Sequence, residues 1–309
     1  MKGIHTMPAF ATLLRLCRDA EHLTQKEFAE YLSLSVPAFE KINTVTLSRW
    51  ENGISCATLK RKKAFLHYIF DHRCLNHSEC LTYIKKRMTS VREPLQNILD
   101  RNYLDIISAF PPFKIEESEF RFDTIANYSD QQLSYLLEIE YSNHPDNYYT
   151  LDVPMLREWC MHESTFALGC ELYNEHLGHI ILLKVSQKTA EQIIHNQKSV
   201  FTLTAEDFIS PQERGVYLMH TFFAVNAEIM AYLSLRTFTF LLDRWKYVSH
   251  IALFLTRQHG VQLMKLYGNR IHTKGRDPHG GYRWYGACTP LQEVLFSDLV
   301  TKLFFDDTL

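Results

Sequence analysis

Residues 23–32 read LTQKEFAEYL and residues 46–53 read TLSRWENG, and together the two strings predict two helices close together in the chain. In the first string, apolar residues recur at helical spacing. Thr24 and Glu27 form a capping box there, in which each side chain accepts a hydrogen bond from the other residue's backbone N–H. The second string ends at Gly53, and glycine takes the left-handed conformation that ends helices at little cost. The N-terminal part is therefore expected to be helical.

The two strings resemble, in residues and in order, the XRE family, which is the lambda repressor and Cro class of helix-turn-helix regulators. The resemblance implies an all-α DNA-binding domain whose second helix lies in the major groove, with its N-terminal residues facing the base edges. Gln25 is then positioned for a phosphate. The implied readers of double-stranded DNA are Asn43, Thr44, Thr46, Ser48 and Arg49. Arginine can bond guanine, asparagine can bond adenine, and a threonine methyl can touch the methyl of thymine.

Two registers of the reading helix remain open. The family has a short turn between its two helices, whereas residues 36–42 of this chain form an insertion. In one register the reading helix carries the SRWENG string. In the other it spans residues 36–43, with Pro37 acceptable in its first turn. We prefer the first register, because SRWENG is the more specific string.

Charge is distributed unevenly along the 309 residues, whose net charge is −2. Residues 1–100 carry a net charge of +5 and the remainder a net charge of −7. A basic surface releases counterions from a phosphate backbone, so only the first part is expected to bind DNA. A proline-containing break and an acidic stretch place a linker at residues 91–120. The linker separates a DNA-binding domain at 1–90 from a second domain at 121–309.

The seven cysteines are scattered and odd in number, which is typical of a reducing compartment. The first ten residues lack the pattern of a secretory signal, and no run approaches the ~20 apolar residues of a membrane span. We therefore expect a cytoplasmic protein without membrane contact. His72, Cys74, His77 and Cys80 lie close together, but structural zinc sites usually take ligand pairs from separated segments. No metal is expected.

Helices and strands alternate beyond residue 121, which predicts an α/β or α+β domain. The predicted helices are near 130–141, 153–162, 228–242 and 257–267, and the predicted strands are at 166–172, 179–185, 216–225 and 247–255. This order, with a GxxLxxxYG string at 260–268, resembles the GNAT acyltransferase fold. The expected fold class is thus multidomain, with an all-α helix-turn-helix domain followed by a GNAT-like α/β domain.

The GNAT resemblance implies that an acyl-CoA or related ligand threads between the strands that end near Val225 and Phe254. Its pyrophosphate would lie at the N-terminus of the following helix, where free N–H groups collect anions. The candidate cofactor-binding residues are Val225, Asn226, Ala227 and Glu228. The same stretch has no glycine, and its glutamate would repel phosphate. Met264 occupies the position where many such enzymes keep a general-acid tyrosine, so we name no catalytic residue.

These patterns favour a homodimeric, sequence-specific transcriptional regulator. Its second domain would be a degenerate acyltransferase that senses a small ligand or mediates dimerisation. Two alternatives stay open: a DNA-tethered N-acetyltransferase, and an antitoxin or phage-type repressor that binds a partner protein. Turnover of acetyl-CoA separates the first alternative from the others, and co-purification of a protein separates the second.

Overall fold

The computed structural model describes residues 7–72, 74–103, 119–143, 151–277 and 281–306. The chain divides into two compact units, one made of residues 1–94 with 295–309 and the other of residues 95–294. The second unit contains a seven-stranded sheet, so the chain as a whole mixes helix and sheet. Within the described ranges, no helix combines the length and apolar character needed to cross a membrane.

The bounds of the regular elements are as follows. The helices are α1 (Ala9–Ala20), α2 (Gln25–Ser35), α3 (Thr44–Glu51), α4 (Leu59–Asp71), α5 (Ser78–Ser90), α6 (Arg92–Tyr103), α7 (Asp130–Asn143), α8 (Val153–Met161), α9 (Gln187–Ile194), α10 (Ala227–Asp243), α11 (Gln258–Leu266), α12 (Leu291–Leu295) and α13 (Asp298–Phe304). The strands are β1 (Arg121–Thr124), β2 (Phe166–Leu172), β3 (Glu175–Val185), β4 (Gly215–Ala224), β5 (Val248–Leu255), β6 (Ile271–Arg276) and β7 (Arg283–Pro290).

Helices α2 and α3 begin at side-chain caps. The capping box expected at the start of α2 is present, with both hydrogen bonds between Thr24 and Glu27 formed. Helix α3 begins after Asn43, whose side-chain oxygen accepts from Thr46 N at 2.9 Å. The insertion forms a single 3-10 turn at Pro37–Phe39. The α-helix over residues 36–43 that the second register requires is therefore not formed.

The last helix of the chain belongs to the first unit. The Phe305 ring meets the edge of Phe10 at a centroid distance of 5.4 Å. Arg87 Nε donates to Phe304 O at 2.8 Å. Residues 295–309 thus differ from the expected grouping at 121–309, because the apolar face of α13 is buried in the helical unit. Helix α6 occupies the start of the expected linker, and residues 104–118 of that linker lie outside the described residues.

The sheet of the second unit has the strand order β1-β2-β3-β4-β5-β7-β6. Neighbouring strands are antiparallel, except that β4 and β5 are parallel. On one face, Ile181 and Leu183 of β3 join the main apolar cluster with residues of α7, α8 and α9. On the other face, α10 lies so close to β3 that a Cβ added at Gly178 would meet Ile229 at 2.9 Å.

The order of elements that the GNAT resemblance implies is present in this unit. All four expected helices and all four expected strands form, each within a few residues of the expected bounds. Further elements, β1, α9, β6 and α12, had no counterpart in the sequence interpretation. The strands among them lie at or near the sheet edges, where short and partly exposed strands carry a weak alternation of apolar residues.

Candidate functional site

Two β-bulges shape the sheet face that α7 and α8 cover. The extra residue in β3 is Leu177, which has no partner opposite it in β2. The extra residue in β4 is His220, which has none opposite it in β3. Each extra residue reverses the alternation of side chains beyond it. His176 and His179, three apart in β3, therefore face the same side, although a regular strand would place them on opposite sides.

Strands β4 and β5 separate immediately before the bulge in β4. Their parallel pairing ends at Met219 and Leu253, although both strands continue beyond these residues. Thr221 follows the bulge and lies on the α7 side, where its hydroxyl bonds Glu140. The face covered by α7 and α8 thus has its polar side chains at the point where the sheet opens.

A buried polar cluster occupies this point. His179 Nε2 lies 2.9 Å from Glu140 Oε1, and the Thr221 hydroxyl donates to the same carboxylate oxygen. His179, Glu140 and Thr221 are 0%, 6% and 8% exposed. A carboxylate that is removed from water needs partners, because burying an unpaired charge is costly. The imidazole and the hydroxyl supply those partners here.

His176 extends the cluster outward. Its Nε2 lies 2.9 Å from His179 Nδ1, and its ring is stacked against Phe223 and lies edge-on to Tyr135. Burial lowers the pKa of His176 from 6.5 to about 3, and the neighbouring His179 contributes in the same direction. His176 is therefore neutral at pH 7, and its Nδ1 has no hydrogen-bond partner among the described residues.

The contacts assign the tautomers of both histidines. An ionised Glu140 only accepts hydrogen bonds, so His179 carries its proton on Nε2 and donates to it. His179 Nδ1 is then an acceptor, and His176 donates to it from Nε2. This leaves a lone pair on His176 Nδ1. Hydrogen positions are inferred from the hydrogen-bond network, and this assignment of the two tautomers is the one that an ionised Glu140 requires. The result is a row of hydrogen bonds that runs from His176, which is partly exposed, to the buried carboxylate of Glu140.

The sequence gives no sign of this cluster beyond a pair of histidines three residues apart. Glu140 comes from α7 and Thr221 from β4, so no local motif contains them. The bulges that bring the side chains together depend on strand pairing. Perturbed titratable groups gathered at one point of a fold are typical of functional sites, and this cluster is the best candidate in the described part of the chain.

The expected coenzyme-binding residues all lie at the start of α10, and all are at least nine-tenths buried: Val225, Asn226, Ala227 and Glu228. Asn226 caps its own helix, since its Oδ1 accepts from Ile229 N at 2.9 Å. Glu228 adds a carboxylate to the first turn. A capped amide and a buried acid are poor partners for a diphosphate, so these residues do not fit that group.

The expected DNA-reading residues lie on or beside α3. Asn43 and Arg49 are exposed, and Thr44, Thr46 and Ser48 are partly exposed. The Asn43 oxygen is already used as the helix cap. Ser48 Oγ accepts from Asn52 Nδ2 at 3.3 Å. Arg49 is thus an expected reader whose side chain is exposed.

A buried carboxylate ties α3 to the two preceding helices. Glu51 is 1% exposed and accepts from Arg18 Nε at 2.8 Å and from Gln25 Nε2 at 2.7 Å. The paired carboxylate raises the pKa of Arg18. Gln25 was expected to bind a phosphate. One of its amide N–H groups is instead hydrogen-bonded to Glu51 inside the protein.

Three of the four cysteines of the first unit, Cys17, Cys74 and Cys80, are buried close together. The sulfur atoms of Cys17 and Cys80 are 4.0 Å apart, and Cys74 Sγ lies 3.8 Å from Glu21 Oε1. Burial raises the pKa of the Cys17 thiol, while a hydrogen bond from Cys17 lowers the pKa of Cys80. All seven cysteines are free thiols. In the described ranges, no three histidine, cysteine, aspartate or glutamate side chains are grouped so as to hold a metal ion.

No family model and no curated protein matches the chain. Solved structures similar to its second unit include an N-acetyltransferase from Staphylococcus aureus Mu50, with 11% identity, a TM-score of 0.38, and coverage of 56% of this chain and 97% of that one. FeeM, an N-acyl amino acid synthase from uncultured soil microbes, has 11% identity, a TM-score of 0.42, and coverage of 60% and 97%. The loading GNATL domain of CurA from Lyngbya majuscula has 10% identity, a TM-score of 0.41, and coverage of 56% and 98%. At such identities the likeness concerns the fold alone.

Proposed function

We propose that the second unit is an N-acyltransferase, which makes the chain a DNA-tethered acyltransferase. The observation that carries this proposal is the hydrogen-bonded chain from His176 through His179 to Glu140. The His176 nitrogen without a partner can accept a proton because the second imidazole and the carboxylate can take that proton onward. The three hydrogen-bonded side chains lie where β4 and β5 separate, so a substrate bound between the strands would come close to them.

The reaction balances with one acyl donor and one amine. The amine nitrogen attacks the carbonyl carbon of an acyl thioester, a C–N bond forms, and the C–S bond breaks with release of a thiolate. The amine proton passes to His176 Nδ1, the proton on His176 Nε2 passes to His179 Nδ1, and the proton on His179 Nε2 passes to Glu140. Because the pKa of His176 is low, the relay leaves the proton on Glu140, which becomes a neutral carboxylic acid, and leaves both imidazoles neutral. The thiolate takes a proton from water, and the hydroxide so formed takes the proton from His176 Nδ1 as the relay runs back, which restores the carboxylate.

The donor is named here only as an acyl thioester. The sequence resemblance implies acyl-CoA, but Asn226 and Glu228 do not fit its diphosphate, so no step of the mechanism depends on the α10 N-terminus. The cluster of His176, His179 and Glu140 is able to take the proton from an amine as the amine attacks a thioester.

The test is acyl transfer by the purified full chain. A panel of acyl thioesters and primary amines is incubated with the protein, and N-acylated products are measured by mass spectrometry. We expect His179→Gln to lower the rate by about 10²–10⁴-fold, since it interrupts the relay. The matched control is His195→Gln, which changes an exposed histidine outside the cluster and should keep the full rate. Full activity of His179→Gln, or no N-acylated product from the wild type, contradicts the proposal.

A second candidate function is sequence-specific regulation of transcription by the first unit. The observation that favours it is the exposed polar side of α3, which includes Arg49, with Glu51 holding the helix against α1 and α2. In this proposal the chain binds double-stranded DNA as a homodimer, and a small ligand of the second unit modulates the binding. The fixed orientation of α3 preorganises its side chains for a groove.

This candidate is tested by selecting binding sites from random duplex DNA and titrating them at fixed salt. We expect a palindromic consensus and a loss of specific binding by Arg49→Ala. Arg214→Ala, which changes an exposed arginine of the second unit, serves as the control and should bind normally. Unchanged affinity of Arg49→Ala refutes the assignment of the reading helix. A selection that yields no consensus refutes the regulator.

A further inference from the structure

Two buried thiols of the first unit lie next to each other on different helices. Cys17 lies on the apolar face of α1 and Cys80 lies in the first turn of α5, and neither side chain is exposed. Their sulfur atoms are 4.0 Å apart. Because the sulfur atoms of a disulfide are about 2.05 Å apart, each sulfur has to move by about 1 Å to form one. The pair is therefore close to bonding distance in the reduced protein.

The two thiols differ in acidity. Burial raises the pKa of Cys17, and hydrogen bonding with Cys74 and with Cys80 raises it further. The hydrogen bond from Cys17 lowers the pKa of Cys80. By contrast, burial raises the pKa of Cys160 and of Cys170 in the second unit to about 12. Because the thiolate is the reactive form of cysteine, Cys80 is a better nucleophile than these two buried thiols.

The cysteines of the first unit lie close to exposed polar side chains. Cys74 Sγ is 3.8 Å from Glu21 Oε1, and the same oxygen is 3.8 Å from His77 Nε2. The side chains of Glu21 and His77 are 38% and 42% exposed. Glu21 directly follows α1 and His77 directly precedes α5, and helix ends open more readily than packed helix interiors. A small polar oxidant thus has a short way to the thiols when these ends open.

We infer that Cys17 and Cys80 form a reversible disulfide on reaction with hydrogen peroxide, and that this bond locks α1 to α5. The Cys80 thiolate attacks one oxygen of the peroxide, the O–O bond breaks, and a sulfenic acid forms with release of hydroxide. The Cys17 sulfur then attacks the sulfenic sulfur, the S–S bond forms, and the S–O bond breaks with release of water, which carries away the Cys17 proton. The hydroxide takes up the proton that Cys80 lost when it became a thiolate. Two thiols are thus oxidised to a disulfide, and the peroxide is reduced to two molecules of water.

The disulfide would act on the helices around it. Arg18, the residue after Cys17, donates from Nε to Glu51 of α3 at 2.8 Å, so the locked helix is the one that holds α3. The bond also closes a loop that contains α2, α3 and α4, and closing a loop lowers the entropy of the unfolded chain. Oxidation should therefore stabilise the helices from α1 to α5. The inference concerns the first unit alone and does not depend on the acyltransferase proposal.

The experiment maps the disulfide in the full chain. The exposed Cys56 is replaced by serine to prevent bonds between molecules, and the Cys56→Ser protein is treated with hydrogen peroxide. Free thiols are then blocked in denaturant, and the unreduced peptides are identified by mass spectrometry. We expect the main product to link Cys17 with Cys80, and a small thiol reductant should restore both thiols. Cys160 and Cys170 should remain free, because burial keeps them protonated.

Further variants of the Cys56→Ser protein test the pairing. Cys74→Ser removes the neighbouring thiol and should form the same disulfide. Cys17→Ala removes the partner, so the Cys80 sulfenic acid should persist and be labelled by dimedone. Peroxide should slow hydrogen exchange of the slowest amides in α1 and α5 by about tenfold or more when Cys17 is present, and should not slow it in Cys17→Ala.

Four results would overturn the inference. One is a Cys56→Ser protein whose Cys17 and Cys80 stay free after peroxide, and another is a disulfide that joins Cys74 to either of them. The third is oxidation of Cys160 or Cys170 as fast as that of Cys80, which would show attack on unfolded chains. The fourth is unchanged exchange in α1 and α5 of the oxidised protein. These four measurements need no substitution of a buried residue, so they stand even where Cys17→Ala fails to fold.

Discussion

Glu51 in the first unit and Glu140 in the second are both buried, and the two carboxylates are held differently. Glu51 in the first unit faces a guanidinium and an amide, which donate to it and cannot give up their protons at neutral pH. Glu140 in the second unit faces an imidazole and a hydroxyl. An imidazole has one nitrogen that donates a proton and one that accepts a proton, so only the second arrangement is able to pass a proton along.

The difference shows that the partners of a buried carboxylate decide whether it holds helices together, as Glu51 does, or is placed to take part in proton transfer, as Glu140 is. The Arg18 charge stabilises the ionised Glu51 permanently, and the pair fixes α1 against α3. Glu140 is instead bonded to His179, which in turn contacts His176. A carboxylate in such surroundings is available as the end of a relay.

The largest expected effect is on the free energy of unfolding, at the ion pair of Arg18 and Glu51. Glu51→Ala leaves the Arg18 guanidinium partly buried without its partner, and breaking a buried pair in this way costs about 3–5 kcal/mol. Hydrogen exchange of the amides in α1, α2 and α3 should show the loss, because it reports each unit separately. Replacing both residues by leucine should recover much of the stability. Unchanged protection in Glu51→Ala would show that the pair does not hold the helices.

The next effect is the response to acid. The pKa of His176 is about 3 in the folded protein against 6.5 for a free histidine, so the unfolded chain takes up a proton first as the pH falls. The stabilising contribution of the neutral ring is complete above pH 6.5 and is lost as the pH falls toward 3. His176→Gln should remove this dependence. Thermal unfolding at pH 7 and at pH 5 measures it, and an equal drop in Tm for the variant and the wild type contradicts the assignment.

A smaller effect on stability is expected for Glu140, the carboxylate that receives the proton in the proposed relay. Glu140→Gln keeps an oxygen that accepts from Thr221 and His179 and loses only the charge, so we expect a cost of about 1–2 kcal/mol. The same variant should lose acyl transfer by about 10²-fold or more. Denaturant unfolding and product analysis give the two values. A variant that is fully active would place the relay elsewhere.

The smallest effect is at the cap of α2. Thr24→Ala removes the capping box with Glu27, which should cost about 1 kcal/mol and leave the second unit unaffected. Thr24→Ser keeps the hydroxyl and serves as the matched control. Hydrogen exchange of the first turn of α2 measures both variants, and equal protection in the alanine and serine variants would contradict the role of the cap.

Local patterns were sufficient for most elements. The capping box, the helix end at Gly53 and the apolar runs of β3 and β4 depend on neighbours in the chain, and each is found in the structure. The bulges at Leu177 and His220 are different in kind, because they exist only relative to the strand opposite. Period-two reasoning places His176 and His179 on opposite faces, and for that reason it could not find the cluster.

The sequence by itself determined where many of the helices and strands of this protein lie, and also the polar side of α3, because capping, periodicity and motif are properties of nearby residues. Only the tertiary structure decided that α13 joins the helical unit and that Glu140, His179 and Thr221 meet. The physical reason is that both depend on contacts between residues about 40 to 300 positions apart, whose free energy appears only after the strands pair and the helices pack.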